Sequence, residues 1–358
     1  MKNRIVFLIM ISFILIGGYF SFEQNTGKLY ETYQNLWEFR ILNPEVLPDT
    51  NLIRLTSAGH TNSYADSLWI QLIQYIGDNI FNDEYHTFLN PIIEKITTLH
   101  PHFTETYNLA LLLSPTVNKD KENYLERKKI TETALRIGEE GIMKNCNIDQ
   151  LNRIYALDFS NTLWDDASLK NPCSDPMLAY NVAITANELE EYSKARQYFK
   201  IASVEEKGPQ AARFLGPLMD AKRGDHRSTG ERFLLLAIGG YDETPFSCQK
   251  SAGETLIQYK TESLSGLIES LEATEKSLSK PKDMSSPIAT SGNTCHGFFV
   301  RAIKQFYLAY ISEISKDYPE ITTGSGLLEK GLIKKIPTIE EQIGWSIIKK
   351  DDQWRYTE

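Results

Sequence analysis

The middle of the chain carries the hydrophobic period of amphipathic helices. Between residues 62 and 277, apolar side chains recur every three to four positions, which places them on one helical face. The clearest stripe consists of Ala65, Leu68, Trp69, Leu72, Ile73 and Ile76. The alternation typical of strands is nearly absent from this stretch. The pattern therefore predicts an all-α region of helices joined by short connections, which favours antiparallel helical hairpins.

Breaks in this period set the expected helix bounds. Glycine, proline, asparagine or aspartate stands at most breaks, as is usual between helices. Ser63 and Asp66 are typical of a capping box at the start of the first helix, and Gly77 of its end. The helices predicted after it span residues 89–99, 104–113, 121–143, 149–163, 176–189, 192–203, 209–223, 228–238 and 251–277.

One predicted hairpin has a sharper pattern. Its second helix has the order Y-x2-A-x3-F-x2-A, formed by Tyr192, Ala195, Phe199 and Ala202. This order resembles the second helix of a tetratricopeptide repeat. A shift by one repeat length takes Phe199 to Phe233 and places Gly224 and Asp225 at the turn between helices. The alternative is a generic helical bundle in which the match arises by chance.

Two further strings extend the resemblance to a family. Residues 57–75 include Ala65-Asp66-x-Leu-Trp69, and residues 96–107 read Ile-Thr-Thr-Leu-His100-Pro-His-Phe followed by a tyrosine. Both are similar to a bacterial family of membrane-anchored tetratricopeptide-repeat proteins, in which aspartate usually stands at the position of His100. The resemblance covers most of residues 50–340. It implies a helical-hairpin solenoid and a membrane location, and it implies no activity, because most members have no assigned chemistry.

The N-terminus predicts the membrane location independently. Lys2 and Arg4 precede an apolar run that begins at residue 5 and extends for about 18 residues to Phe22, slightly short of the usual 20 but within the range that crosses a bilayer core. No small-residue cleavage site follows the run, so an uncleaved signal anchor over residues 1–22 is favoured over a cleaved signal peptide. The positive-inside rule then keeps Lys2 and Arg4 in the cytoplasm and places the rest of the chain outside it, in the periplasm or at the cell surface.

Composition divides the remainder into segments. A juxtamembrane segment covers residues 23–56, and the repeats cover residues 57–277. Residues 278–293 are rich in serine and proline, which is typical of a linker. Residues 294–358 are predicted to form a small α+β cap that consists of a helix and a β-hairpin turning near Asp351 and Asp352.

The cysteines bear on the redox environment. There are four, Cys146, Cys173, Cys248 and Cys295, and an even number in an exported chain favours disulfides. Pairing in sequence order closes the shortest loops and is preferred among the three possible connectivities. Four unpaired cysteines are the alternative. A zinc site is disfavoured, because no C-x2-C pair is present.

Charge and motifs limit the function classes. A net charge of −9 gives no basic excess for binding nucleic acid. No recognised nucleotide-binding, hydrolase or metalloprotease motif occurs, so we expect no catalytic residue, cofactor or resident metal. His100 and His102 supply only two possible ligands, which cannot complete a metal site. Asp165 and Asp166 are adjacent, so on a helix their side chains point apart and do not form a catalytic carboxylate pair. Asp66 and Trp69 are expected to have structural roles.

The preferred hypothesis is a non-enzymatic scaffold that binds a protein or peptide of the cell envelope. Its groove would be lined by Asn181, Thr185 and Glu188 of a first repeat helix. Envelope or pilus assembly is a plausible setting by fold analogy alone. One alternative is an enzyme or solute-binding protein whose pocket, near Trp345 and Trp354, holds buried carboxylates or histidines. Another is a structural subunit of a surface assembly. The sequence leaves the partner and the oligomeric state open.

The anchor hypothesis predicts the fate of a truncated chain. Deletion of residues 1–22 should move the protein from the membrane pellet to the supernatant, because the only long apolar run is removed. Centrifugation of lysed cells that produce either form measures this. A truncated chain that still sediments with membranes would contradict the anchor, and an intact protein whose mature N-terminus begins beyond the run would favour the cleaved signal peptide.

Overall fold

The computed structural model describes residues 48–57, 59–79, 85–114, 117, 122–159, 161–239, 246–259, 261, 263–277, 295–333, 346–350 and 352–357. Apart from a short hairpin, the regular structure of these residues is helical, which confirms the all-α prediction. The predicted anchor at 1–22 and linker at 278–293 lie outside the described residues. Among the helices described, none combines the length and apolar character needed to span a membrane.

The chain divides into two compact units, Met1–Pro115 and Thr116–Glu358. This division falls inside the predicted repeat region, whose bounds at residues 57 and 277 stay predictions. In the first unit the helices are α1 (Thr50–Thr56), α2 (Thr61–Asn79), α3 (His86–Leu99) and α4 (Thr104–Leu113). α3 packs against the other three. Its apolar stripe is fully buried, as the hydrophobic period predicts.

The start of α2 differs from the predicted capping box. The helix begins at Thr61, so Ser63 and Asp66 lie inside it. The Asp66 carboxylate instead lies 3.7 Å from Nδ1 of His100, just after α3. Trp69 packs edge-on against Phe103, with the ring centroids 5.1 Å apart. Both residues therefore join α2 to the turn that precedes α4.

The second unit begins with α5 (Tyr124–Asn145), α6 (Ile148–Ala156) and α7 (Asn161–Asp165). The single helix predicted over residues 149–163 is wrong, because the chain leaves the helix at Leu157. The buried ammonium of Lys200 accounts for this end, since it donates to the carbonyls of Leu157 and Tyr155, which lie at the end of α6. Phe159 then fills space next to Gly216, where any Cβ would overlap its ring.

Four helices of the second unit repeat with a fixed displacement. They are α8 (Leu178–Glu188), α9 (Tyr192–Ala202), α10 (Ala212–Lys222) and α11 (His226–Gly239). α10 begins and ends the same number of residues after α8 begins and ends. α11 also begins that number of residues after α9 begins. Each helix packs against the next one in the sequence. The chain therefore forms successive hairpins that start at a constant interval, although α11 is longer than α9.

The following helices close the array. The helix predicted over residues 251–277 is in fact two, α12 (Phe246–Tyr259) and α13 (Leu264–Ser277). The hydroxyl of Ser263 accepts the N–H of Gly266 and so caps the start of α13, which explains the break. Next comes α14 (Cys295–Ile314), which packs against α11, α12 and α13.

The predicted C-terminal β-hairpin is present in the structure. After a 3-10 turn (Ser315–Asp317) and α15 (Gly324–Glu329), strand β1 (Ser346–Lys350) pairs antiparallel with β2 (Gln353–Thr357). Lys350 pairs with Gln353, so the chain reverses within two residues, and Asp352 takes the left-handed conformation with a φ of 61°. β1 also packs against α15, and β2 against α14.

Two disulfides join the cysteines in sequence order, as preferred. Cys146 at the end of α5 pairs with Cys173, and Cys248 of α12 pairs with Cys295 at the start of α14. The pairs are 27 and 47 residues apart, so loop-closure entropy predicts stabilisation of about 3.5 and about 4 kcal/mol.

A buried carboxyl supports the first disulfide. Glu205 is 6% exposed, and its Oε1 accepts the N–H of Cys173 at 3.0 Å. Burial raises the pKa of Glu205 from 4.5 to about 7, although the Cys173 hydrogen bond lowers it. The folded state therefore holds a proton at this carboxyl more tightly than the unfolded chain does.

Glu205→Gln should flatten the pH dependence of stability. In the wild type, the free energy of unfolding falls as pH rises from about 4.5 to about 7. Over this range the carboxyl of Glu205 is protonated in the folded state but ionised in the unfolded chain, so raising the pH removes a proton that favours the folded state. Glutamine keeps the hydrogen-bond acceptor and cannot ionise, so the variant should gain up to about 3 kcal/mol relative to wild type at pH 8.

Urea unfolding between pH 4.5 and pH 8, with the disulfides intact, measures this difference. Glu206→Gln is the matched control, since the neighbouring Glu206 is exposed and should leave the wild-type dependence unchanged. Parallel pH curves for wild type and Glu205→Gln would contradict the assignment.

Candidate functional site

A cleft of about 430 Å³ lies in the second unit beside the C-terminal hairpin. Its walls come from the turn between α10 and α11, from the C-terminal end of α14 with its 3-10 turn, and from the hairpin. The volume is in the usual range for small-molecule sites. Because the three walls are distant in sequence, the cleft depends on how the hairpin packs against the helices.

Trp354 fixes the hairpin in place. It is 1% exposed, and its indole Nε1 donates to the hydroxyl of Ser315 at 2.7 Å. A second attachment comes from the main chain, where the N–H of Lys349 donates to the carbonyl of Thr322 at 2.7 Å. The hairpin is thus held on both strands, with an aromatic core contact on β2 and a backbone bond on β1.

The turn before α11 approaches the hairpin closely. Gly224 has a φ of +91°, and a Cβ there would lie 3.3 Å from Nε2 of Gln353. Asp225 follows, and its carboxylate accepts the N–H of Ser228, which caps α11. The backbone conformation therefore favours glycine at position 224, and a Cβ there would also make a tight contact with the Gln353 side chain.

His226 is the buried titratable side chain among the residues that line the cleft. It is 5% exposed, and its Nδ1 lies 2.9 Å from Oε1 of Gln305, while Nε2 makes no hydrogen bond. Burial lowers the pKa of His226, an effect that Gln305, Asp225 and the main chain of Trp354 oppose.

The charged lining is mainly basic. Arg223, Lys316 and Lys349 line the cleft, together with one carboxylate, Asp352. Asp352 forms an ion pair with Lys349 at 2.8 Å, and the hydrogen bond from Lys349 lowers the pKa of this carboxyl. Behind them, Arg355 donates to Oε1 of Gln353 at 3.2 Å. The sign of this cleft is opposite to the net charge of −9 on the chain.

The residues predicted to bind a partner lie elsewhere. Asn181 and Thr185 are buried, and the Thr185 hydroxyl donates to the Asn181 carbonyl at 3.0 Å. This corrects the expectation that both line an accessible groove; α5 and α9 pack against α8 and leave little of its surface open. Glu188, at the end of α8, is half-exposed. Its role in partner binding stays a prediction.

The sequence indicated part of this site. The alternative hypothesis of a pocket beside the hairpin, with a buried histidine or carboxylate near Trp354, matches the position of His226; Trp345 lies outside the described residues. The sequence patterns do not identify His226 itself. Its only signal was position, since it occupies the place of Tyr192 one repeat later.

Trp354 variants should show how firmly the hairpin is attached. Trp354→Ala should lower the free energy of unfolding by about 3–5 kcal/mol, because a fully buried ring is removed. Trp354→Phe should cost about 1–2 kcal/mol, because the Ser315 hydroxyl loses its donor. Urea unfolding measures both. The exposed neighbour Lys350→Ala is the control and should change stability by less than about 0.5 kcal/mol. An equally small effect of Trp354→Ala would contradict the packing.

Similarity to other proteins does not assign a role to this cleft. No protein-family model, curated protein or solved structure matches the chain. What the cleft can do follows from its own chemistry: three cations, one exposed carboxylate, a buried imidazole and a volume suited to a small molecule.

Proposed function

We propose that the protein is a membrane-tethered, extracytoplasmic scaffold that binds a protein partner through tetratricopeptide-like repeats. The observation that carries this proposal is the constant displacement between two successive helical hairpins, from Leu178 to Ala212 and from Tyr192 to His226. That displacement equals the length of one tetratricopeptide repeat. Membership of the bacterial family of membrane-anchored repeat proteins is part of the proposal.

The turns of the two hairpins support the repeat interpretation in detail. The N–H of Glu191 donates to the Ala186 carbonyl at 2.9 Å, and one repeat later the N–H of Asp225 donates to the Asp220 carbonyl at 3.0 Å. Glu190 and its counterpart Gly224 both have positive φ, 61° and 91°. The same hydrogen-bonded helix end thus recurs at the same interval.

Buried positions recur at this interval as well. Phe199 and its counterpart Phe233 are both 0% exposed, and so are Ala195 and its counterpart Thr229. The start of α12 at Phe246 follows the start of α10 by the same interval. Small or aromatic residues at fixed buried places are what stacked hairpins need, because neighbouring helices share one core.

The proposed location has separate support. Two disulfides are typical of proteins folded in an oxidising compartment outside the cytoplasm. Lys2, Arg4 and the apolar run after them favour export with a retained anchor. Envelope or pilus assembly remains the setting we propose, by analogy of fold.

The partner surface we propose is the polar edge where the two hairpins meet. Lys222 at the end of α10 donates to Oδ1 of Asn187 at 2.5 Å, and its ammonium lies 5.2 Å from the centre of the Tyr192 ring. Burial lowers the pKa of Lys222, and the negative charges of Glu190 in the turn and Glu188 at the end of α8 partly oppose this effect. This edge combines accessible charge of both signs with an aromatic face, a composition suited to a polar peptide.

Charge reversal at Glu188 tests this surface. The intact chain, solubilised with its anchor, should enrich a partner from envelope extract, and Glu188→Lys should reduce that enrichment by about tenfold or more, because one charge of the edge changes sign. Quantitative mass spectrometry of captured proteins measures the ratio.

The matched control is Glu329→Lys on α15, an exposed glutamate outside the repeats that should leave capture unchanged. Equal capture by both variants would show that the partner binds elsewhere. Failure of the wild type to enrich any protein over a mock capture would count against the scaffold itself.

A further inference from the structure

We propose that the cleft beside the hairpin binds an acidic peptide segment, whose carboxylates pair with the cations of the cleft walls. The proposal rests on the scaffold function proposed above, because it names the chemistry of one part of the protein partner. The acidic part of that partner lies in the cleft, and its remaining polar part lies along the edge at Glu188.

The turn between α10 and α11 joins the polar edge to the cleft. Lys222 belongs to the edge, and Arg223, the next residue, lines the cleft. Burial lowers the pKa of Lys222, and so does the positive charge of Arg355 on β2. Glu190 and Glu188 of the edge oppose this effect. Lys222 thus lies within electrostatic range of both the hairpin and the edge, so one extended segment can contact the edge and the cleft together.

Two cations of the cleft walls are available to a further carboxylate. Lys316, in the 3-10 turn after α14, is exposed, and no ion pair joins it to another residue of the described part of the chain. Arg223 reaches Asp220 only at 3.9 Å, and its side chain is 52% exposed. Asp220 is already paired with Arg196 at 2.8 Å. A bound carboxylate therefore has little competition at Lys316 and Arg223.

The hairpin adds two more cations. Lys349 pairs with Asp352 at 2.8 Å, but the Asp352 side chain is 91% exposed, so water and salt weaken this pair. Arg355 donates to the uncharged Oε1 of Gln353 at 3.2 Å and forms no ion pair within the described residues. Because like charges repel one another, a carboxylate bound among these cations lowers the electrostatic energy of the whole arrangement.

The arrangement of the cations favours an extended peptide over a single small anion. Those that line the cleft come from three walls, namely the α10–α11 turn, the end of α14 and the hairpin. A small anion contacts few of them, whereas the acidic side chains of an extended segment reach each wall. Carboxylates fit, because arginine binds this group through two parallel N–H···O bonds. The net charge of −9 repels the same segment from the rest of the chain and so directs it to the cleft.

Fluorescence anisotropy with the intact chain, solubilised with its anchor, tests the proposal. The probe is a labelled glutamate octapeptide that is capped at both ends, and its match is the glutamine octapeptide. We expect saturable binding of the glutamate peptide, at least about tenfold tighter than that of the glutamine peptide at low ionic strength. Added salt should weaken this binding, because the contacts are ionic.

Lys316→Gln should weaken the glutamate peptide by about fivefold or more, since one cation of the cleft is lost. Lys316 is exposed, so this variant should fold normally, and Lys316→Arg should restore the affinity because it keeps the charge. The matched control is Lys330→Gln, an exposed lysine outside the cleft that should bind like wild type. Glu188→Lys should bind the glutamate peptide at least as tightly as wild type does, because it removes a negative charge near Lys222.

Four results would overturn the proposal. They are the lack of saturable binding by the glutamate peptide, equal affinity of the two peptides, equal affinity of the two glutamine variants, and complete displacement of the peptide by an equal concentration of inorganic phosphate, which would assign the cleft to a small anion. The partner assay separates this outcome from failure of the scaffold function. If the cleft proposal alone fails, Lys316→Gln still captures the partner that Glu188→Lys loses, whereas failure of the scaffold leaves the wild type without any captured partner.

Discussion

The close packing of α14 against α11 is the contact on which the second unit depends. Gly230 of α11 has no side chain, and a Cβ there would lie 3.0 Å from the ring of Phe306, so the two helices approach closely only because this residue is glycine. Phe298, Phe299 and Phe306 of α14 are all buried to within 1%. α14 thereby covers the apolar face that a stack of hairpins would otherwise expose at its end. Its far end carries Ser315, which holds Trp354 and with it the hairpin.

A charge network stabilises the same stack from within. Arg196 of α9 contacts both Asp220 of α10 and Asp158, each at 2.8 Å, and Arg232 of α11 lies near the same two carboxylates. The hydrogen bond from Arg196 lowers the pKa of Asp158. Asp220 is nearly buried, so removing Arg196 would leave its charge poorly compensated. Three successive helices are thus tied to one another and, through Asp158, to the chain segment between α6 and α7.

Local patterns predicted most elements, and long-range contacts account for several of the errors. The helix over residues 104–113 matches its prediction because an apolar stripe and Pro115 define it locally. The break at Leu157 was missed because it depends on Lys200, which is distant in sequence. Burial of Asn181 was missed because the period of α8 does not reveal that α5 covers it. The cleft could not be assembled from sequence, because its walls come from three separate segments.

The left-handed turn between the two helices of a hairpin occurs at equivalent positions in both repeats, Glu190 and Gly224, but its surroundings differ. At Glu190 the left-handed turn between α8 and α9 is exposed, and an L-residue adopts it at a cost of about 1 kcal/mol. At the equivalent position Gly224, the φ of +91° is one that L-residues rarely adopt, and Gln353 of the hairpin lies against the turn, 3.3 Å from where a Cβ would be. The hairpin therefore converts one repeat edge into a wall of the cleft and leaves the preceding edge accessible. The same turn thus has an exposed edge in one repeat and, one repeat later, forms part of the wall of the cleft.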